Sequence, residues 1–290
     1  MKKIGFIGLG NMGSKMAINL LNGGHEVQGF DLKESLVDKL LNFGIIKASS
    51  LINFANDKDI IITMLPNGDM VENVITQLSK DLKNNTIILD SSTIDVNTAI
   101  KLNSILLKKG IDFLDAPVSG GTIGAENGTL TFMVGGEISS FKKISPILDL
   151  MGSKSVYCGN SGSGQTAKLC NNMLLAITMI GVSESFNMAK NLNLDLNILF
   201  EVISTATGSC WSINNYCPIP DVGPKSPADN NYKAGFSAQL MSKDLKLAVN
   251  AAKESNSSVN FGQMAEQLFT KMAKGINGGK DFSRIIKEIV

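Results

Sequence analysis

The opening of the chain constrains it most. A short β-branched run, Lys3 to Gly8, leads directly into Gly8-Leu9-Gly10-Asn11-Met12-Gly13, and an amphipathic stretch, Asn11 to Leu21, leads out. A strand, a G-x-G-x-x-G turn and a helix in immediate succession form the start of a βαβ unit built to receive a dinucleotide. Each glycine has its own task. The first permits the tight turn, the second lets the backbone approach a pyrophosphate, and the third lets the helix pack on the strand. The helix N-terminus then offers N–H groups and a partial positive charge to the phosphates.

The alternation continues. Glu26 to Phe30, Asp59 to Met64, Thr86 to Asp90 and Ile111 to Asp115 are further apolar runs of strand length. Helical periods separate them, such as Val96 to Lys109, with Ile100, Ile105 and Leu106 on one face. Unbroken apolar strands between helices imply a parallel sheet covered on both faces. The pattern stops at Gly159-Asn160-Ser161-Gly162-Ser163-Gly164, which marks a domain boundary. A long helical run follows, Gln165 to Asn191, and the remainder reads as helical apart from Gly208 to Phe236, a loop with four of the seven prolines and the only tryptophan. The expected fold is α/β: a Rossmann-type, doubly wound parallel sheet in residues 1–162, the dinucleotide-binding domain, then an all-α unit in residues 163–290 for substrate and subunit contacts. A length of 290 residues accords with two domains.

The second strand leads to Asp31, 18 residues after Gly13. A carboxylate there accepts hydrogen bonds from the adenosine ribose and repels a 2′-phosphate, so NAD is the expected cofactor. Lys33 leaves residual use of NADP open.

Two scarcities narrow the chemistry. His25 is the single histidine and Arg284 the single arginine. Zinc alcohol dehydrogenases need Cys and His ligands, and lactate-type enzymes need a His base and an Arg clamp. Short-chain reductases need a Tyr four residues before a Lys, but Tyr157, Tyr216 and Tyr232 are followed at that offset by Ser161, Pro220 and Phe236. A lysine is left as the proton-transfer group, and no metal is expected. Lys168, early in the long helix, is the strongest candidate, with Asn172 one turn on and Asn171 beside it. The helix beyond is apolar, and a lysine on a buried helix is costly unless paired or used. A snorkelling or ion-paired lysine is the alternative there. Asp115-Ala116-Pro117-Val118-Ser119-Gly120-Gly121 follows a strand, at the sheet edge where ligands bind. Its small residues expose backbone N–H groups suited to a carboxylate, although the same run is also an ordinary turn.

At these residues the chain resembles the β-hydroxyacid dehydrogenases. The resemblance rests on Gly5 to Gly13, Asp115 to Gly121 and Gly164 to Met173. The late loop points to the 3-hydroxyisobutyrate branch: Cys210-Trp211, Tyr216, Pro218, Pro220, Pro227-Ala228, Gly235-Phe236 and Leu240 to Leu245, with Asp281-Phe282-Ser283 near the end. The resemblance implies oxidation of 3-hydroxyisobutyrate to methylmalonate semialdehyde with NAD, a step of valine breakdown. It implies Lys168 as general acid/base and Ser119, Gly120, Gly121 and Asn172 as the substrate seat. Leu65, Pro66 and Thr93 would join Gly8, Leu9, Gly10, Asn11, Met12, Gly13 and Asp31 at the cofactor, with Lys243 on the nicotinamide side. Sister substrates (tartronate semialdehyde or glycerate, 3-hydroxypropionate, 4-hydroxybutyrate) and a silent dinucleotide-binding scaffold are the competing readings. Asp221 and Cys217 depart from the branch, which usually has glycine and asparagine there, and Ser258 to Phe261 lacks its usual proline.

The remaining features concern partners. A net charge of +1 provides no basic field for nucleic acid. The longest apolar run, Met173 to Ile180, is shorter than the ~20 residues of a membrane span. Four cysteines without a CxxC pair suit reduced thiols, so a cytoplasmic enzyme is expected. The apolar helical unit, together with the resemblance, implies a homodimer or homotetramer.

Overall fold

The computed structural model describes residues 1–52 and 54–289. The chain divides into two compact units, Met1–Lys168 and Leu169–Val290. The division lies inside a long helix, six residues beyond the boundary expected from the glycine cluster.

The first unit runs β1 (Lys3–Ile7), α1 (Gly13–Asn22), β2 (Glu26–Phe30), α2 (Glu34–Asp38), β3 (Ile46–Lys47), β4 (Ile60–Thr63), α3 (Gly68–Leu78), β5 (Ile87–Asp90), α4 (Val96–Leu107), β6 (Asp112–Asp115), β7 (Val118–Ser119), α5 (Gly121–Asn127), β8 (Leu130–Gly135), α6 (Ile138–Met151) and β9 (Gly152–Gly159), and ends in the first turns of α7 (Ser163–Asn191). The strands form one sheet in the order β3-β2-β1-β4-β5-β6-β8-β7, with β9 on the other edge of β8. The pairs from β3 to β6 are all parallel. Beyond them the expectation of an all-parallel sheet fails. β8 runs antiparallel to both β6 and β7, and β9 runs parallel to β8. Sequence periodicity does not show this: β7 is two residues long, β9, Gly-Ser-Lys-Ser-Val-Tyr-Cys-Gly, is largely polar, and the apolar run of β8 carries no mark of its direction.

Strand alternation sorts the core into two layers. Ile60 and Ile62 face a cluster with Met16, Ala17 and Leu20 of α1 and Ile144 and Leu148 of α6. Ile61 and Ile88 face the opposite cluster, with Val71 and Ile75 of α3 and Ala99, Leu102 and Leu106 of α4. Each fully buried Ile, Leu, Val or Met side chain among these stabilises by about 2 kcal/mol. The face assigned to α4 from sequence is corrected here. Ile100 and Ile105 are exposed, and the buried stripe is Ala99, Leu102 and Leu106. At about 100° per residue, positions 100 and 105 are turned away from 99, 102 and 106.

The second unit continues α7 and adds α8 (Leu196–Thr205), α9 (Trp211–Asn214), α10 (Ala238–Glu254), α11 (Asn260–Lys274) and 3₁₀ turns at Pro227–Asn230 and Phe282–Lys287. Ala176 and Met179 of α7 pack with Met241 and Leu245 of α10 and Phe269 of α11. The proline-rich loop folds on a second cluster around Val182, Phe186, Cys217 and Tyr232. As a whole, the 29-residue α7 is long and apolar enough to cross a membrane, which the eight-residue run read from sequence does not suggest. Ala176, Met179, Val182 and Phe186 of this helix are instead buried in the core of this unit, while Leu174 and Met188 are exposed.

Candidate active site

The glycine turn lies where β1 ends. Gly8 has φ +93°, and its N–H donates to the Phe30 carbonyl at 2.9 Å. A Cβ on Gly8 would sit 2.3 Å from the Met64 carbonyl oxygen, and one on Gly13 would sit 1.9 Å from that of Gly8. The fold itself requires both glycines. At Gly10 a Cβ would meet nothing within 4 Å. A missing side chain that the protein does not need is what a close-lying ligand needs. Met12 caps α1, and Asn11 is exposed beside it. The Leu9 N–H donates to Asp31 Oδ2 at 2.8 Å, and the Lys33 N–H to Asp31 Oδ1 at 2.8 Å. Gly8 to Gly13 and Asp31 are therefore brought together at the carboxyl ends of β1 and β2. The open position at Gly10, the N-terminus of α1 and the Asp31 carboxylate fit a dinucleotide.

Leu65 and Pro66 follow β4, and Thr93 follows β5, on the same sheet edge. The Leu65 N–H donates to Ser92 Oγ at 2.8 Å. The Ser92 N–H in turn donates to Asp90 Oδ1 at 3.1 Å, which also accepts from the Thr63 hydroxyl at 2.7 Å. Asp90 is fully buried, and burial pushes its carboxyl up to about 6, against the lowering effect of Ser92 and Thr63. The charge of Asp115, its register partner on β6, adds to the rise.

Lys168 is 7% exposed on the second turn of α7. Its Nζ donates to the Val118 carbonyl at 2.8 Å. That bond sets the amine against the end of β7, beside Ser119 and the turn of Gly120 (φ +133°) and Gly121 (φ +61°). The structure thus joins the lysine to the Ser119–Gly121 segment, which is 47–49 residues away in sequence. The start of the helix is held by Asp115. Its Oδ1 accepts from the Gly162 N–H at 2.7 Å, and its Oδ2 from the Gln165 N–H at 3.0 Å. Burial pushes the Asp115 carboxyl up, while the N–H groups of Gly162, Gln165 and Gly164 pull it down. Gln165 is also fully buried: its Oε1 accepts from the Ile94 N–H at 3.1 Å and its Nε2 donates to the Ser92 carbonyl at 2.8 Å.

In the second unit Asn172 is 2% exposed, one turn after Lys168 on the same helix. Its Nδ2 donates to Asp244 Oδ2 at 2.6 Å, and its Oδ1 accepts from Asn171 at 3.0 Å. Lys243 Nζ lies 3.4 Å from Asp244 Oδ1, an ion-pair contact without hydrogen-bond geometry. Asn172 and Lys243, 71 residues apart, thus share one buried carboxylate. Sequence reasoning quoted Asp115, Gln165 and Asp244 within motifs but gave them no role. Asp90 is legible only as the end of a strand and Ser92 not at all, since an acidic or hydroxyl residue at a strand end carries no signal of its partners. Among the described residues no group of three or more His, Cys, Asp or Glu is placed to hold a metal ion.

Comparison with known proteins agrees with this geometry. Residues 3–159 match the family model described as the NAD binding domain of 6-phosphogluconate dehydrogenase. Residues 162–289 match the one described as NAD-binding of NADP-dependent 3-hydroxyisobutyrate dehydrogenase. A mitochondrial 3-hydroxyisobutyrate dehydrogenase of Drosophila melanogaster is 44% identical over 97% of this chain and 87% of its own length. An NAD-dependent L-serine dehydrogenase of Pseudomonas aeruginosa is 41% identical over 99% of this chain and 97% of its own. The solved structure of Mycobacterium tuberculosis 3-hydroxyisobutyrate dehydrogenase with L-serine superimposes with a TM-score of 0.96 at 40% identity, covering 100% of this chain and 99% of that one. Sequence motifs, fold and near-full-length relatives converge: the chain belongs to the 3-hydroxyisobutyrate dehydrogenase family and is a nicotinamide-dinucleotide-dependent oxidoreductase.

Proposed function

We propose that the chain oxidises 3-hydroxyisobutyrate to methylmalonate semialdehyde with NAD+ and that Lys168 is its general acid/base. The observation that carries the proposal is the buried Lys168 amine, held by a backbone carbonyl beside the Ser119–Gly121 turn. The Val118 carbonyl can accept from Lys168 as an ammonium or, more weakly, as an amine, so the contact itself is not an ion pair that proton transfer would break. When bound, the dinucleotide supplies the hydride acceptor. Lys168 takes the hydroxyl proton as the alcohol carbon is oxidised, and in the reverse direction its ammonium returns that proton to the carbonyl oxygen. Ser119, Gly120 and Gly121 seat the substrate carboxylate, and Asn172, oriented by Asp244, binds substrate. Gly8 to Gly13, Asp31, Leu65, Pro66, Thr93 and Lys243 hold the cofactor. Asp31 selects NAD over NADP by repelling a 2′-phosphate, with Lys33 the only basic residue in that turn. The domain roles follow: residues 1–162 bind dinucleotide, and residues 163–290 bind substrate and a second subunit.

L-Serine is the competing substrate, favoured by the name of the Pseudomonas relative and by the ligand of the mycobacterial structure. Valine breakdown is the route this reading implies. A homodimer or homotetramer belongs to the same proposal and is supported by α8, an apolar helix with no buried residue, and by exposed Leu174, Met188 and Leu192 on or just after α7. A cytoplasmic location is supported by four free thiols.

Initial rates with both enantiomers of 3-hydroxyisobutyrate, 3-hydroxypropionate, glycerate, 4-hydroxybutyrate and L-serine, each with NAD+ and NADP+, test the substrate. A preference for one 3-hydroxyisobutyrate enantiomer with NAD+ is expected, and faster turnover of L-serine or glycerate would replace the substrate while leaving the chemistry. Lys168→Ala should lose about 10²-fold or more in kcat while still binding NAD+. Turnover near the native rate would remove Lys168 from its role.

A further inference from the structure

We infer that Asp115 is the positioning residue for Lys168: its buried carboxylate fixes the start of the lysine-bearing helix against the strand end from which the substrate turn departs. The inference rests on the Lys168 reading above. Asp115 ends β6 and is fully buried. Its two oxygens each accept one N–H from the opening of α7, Gly162 at 2.7 Å and Gln165 at 3.0 Å. Three residues after Asp115, the Val118 carbonyl accepts from Lys168 Nζ. The same short segment, 115–118, therefore grips the helix twice, by its backbone at 162–165 and by its side chain at 168. This closes a ring of hydrogen bonds that ties the position of the amine to the segment leading into Ser119.

Neighbouring glycines leave room for the carboxylate. A Cβ on Gly135 would lie 2.8 Å from Asp115 Oδ1, and one on Gly164 would lie 2.9 Å from Oδ2. Packing alone does not ask for a carboxylate here, since burial disfavours its charge. An asparagine, nearly the same shape, has one acceptor oxygen and would aim its NH₂ at the second N–H donor. Two converging N–H groups at a helix N-terminus need two acceptor oxygens, and the partial positive charge there favours an anion. Gln165 extends the anchor to the end of β5 through Ser92 and Ile94, the residues flanking Thr93.

A double-mutant cycle tests the inference on the full chain. Asp115→Asn should lower kcat about tenfold or more, because a displacement of about 1 Å at a catalytic group costs up to 10²-fold. The Kd for NAD+ should stay within about threefold, since the glycine turn does not touch Asp115. In a Lys168→Ala background the same change should cost less than about twofold, because a residue acting through Lys168 has nothing left to position. Equal losses in the two backgrounds, or a native kcat in Asp115→Asn, would overturn the inference. Asp115→Ser, which is smaller and keeps a single acceptor oxygen for the Gly162 and Gln165 N–H groups, goes through the same cycle and decides the question if Asp115→Asn fails to fold. Lys168→Ala alone reports on the underlying reading: an undiminished rate there sinks the lysine, whereas equal losses sink only Asp115.

Discussion

Asp90 is a fully buried carboxylate whose Oδ2 has no hydrogen-bond partner, and its carboxyl titrates at about 6 in the folded protein against 3.8 in a free chain. The folded state thus holds a proton that the unfolded state has released, and stability falls as pH rises through that window. The contribution is present in full below about pH 3.8 and is lost as pH rises through about 6. A rise of this size corresponds to about 3 kcal/mol in all, of which about 1 kcal/mol falls between about pH 5 and about pH 8. Asp90→Asn cannot titrate, so the stability of the native protein relative to the variant should drop by about 1 kcal/mol over that interval. The raised carboxyls of Asp115 and Asp281 carry the same sign, but they are present in both proteins and largely cancel. Thermal melts of both proteins across the interval measure the difference, which should appear as a relative change of about 2–4 °C in Tm. A Tm difference independent of pH, or one moving in the native protein's favour as pH rises, would refute the assignment of a proton to buried Asp90.

Two further substitutions separate fold from ligand at the glycine turn. Gly13→Ala forces a Cβ to 1.9 Å from the Gly8 carbonyl and should destabilise the first unit by about 3 kcal/mol or more, whereas Gly10→Ala, with open space around its Cβ, should leave Tm unchanged and weaken NAD+ binding about tenfold or more. Equal losses of Tm in the two variants would contradict that division. Asp31→Ser should raise the NADP+ to NAD+ ratio of kcat/KM about tenfold or more by removing the charge that opposes a 2′-phosphate next to Lys33, and an unchanged ratio would move cofactor choice elsewhere.

Much of the site was legible because its chemistry is local. The spacing of Gly8, Gly10 and Gly13 between a strand and a helix specifies a turn, and the interval to Asp31 is one βαβ repeat. One histidine and one arginine leave a lysine as the candidate proton carrier, and Lys168 stands out among the lysines by its place on an apolar helix one turn before Asn172. The α4 face differs from the sequence reading because the buried stripe follows helical phase through Ala99, Leu102 and Leu106, and Ile100 and Ile105 lie off it. The antiparallel end of the sheet is not legible because β7 is two residues long, β9 is largely polar, and the apolar run of β8 carries no mark of its direction.

The sequence by itself determined the strand–turn–helix units, their two-domain order and the candidate residue types, because each depends on neighbours within a few positions. The supports of the site were decided only by the tertiary structure. Asp90 meets Asp115 through the register of β5 and β6, Gln165 reaches Ser92 across 73 positions, and Asn172 meets Asp244 across 72. No local pattern encodes such pairs. Buried polar groups must find partners wherever the packed chain brings them, and only the completed sheet and helices bring these together.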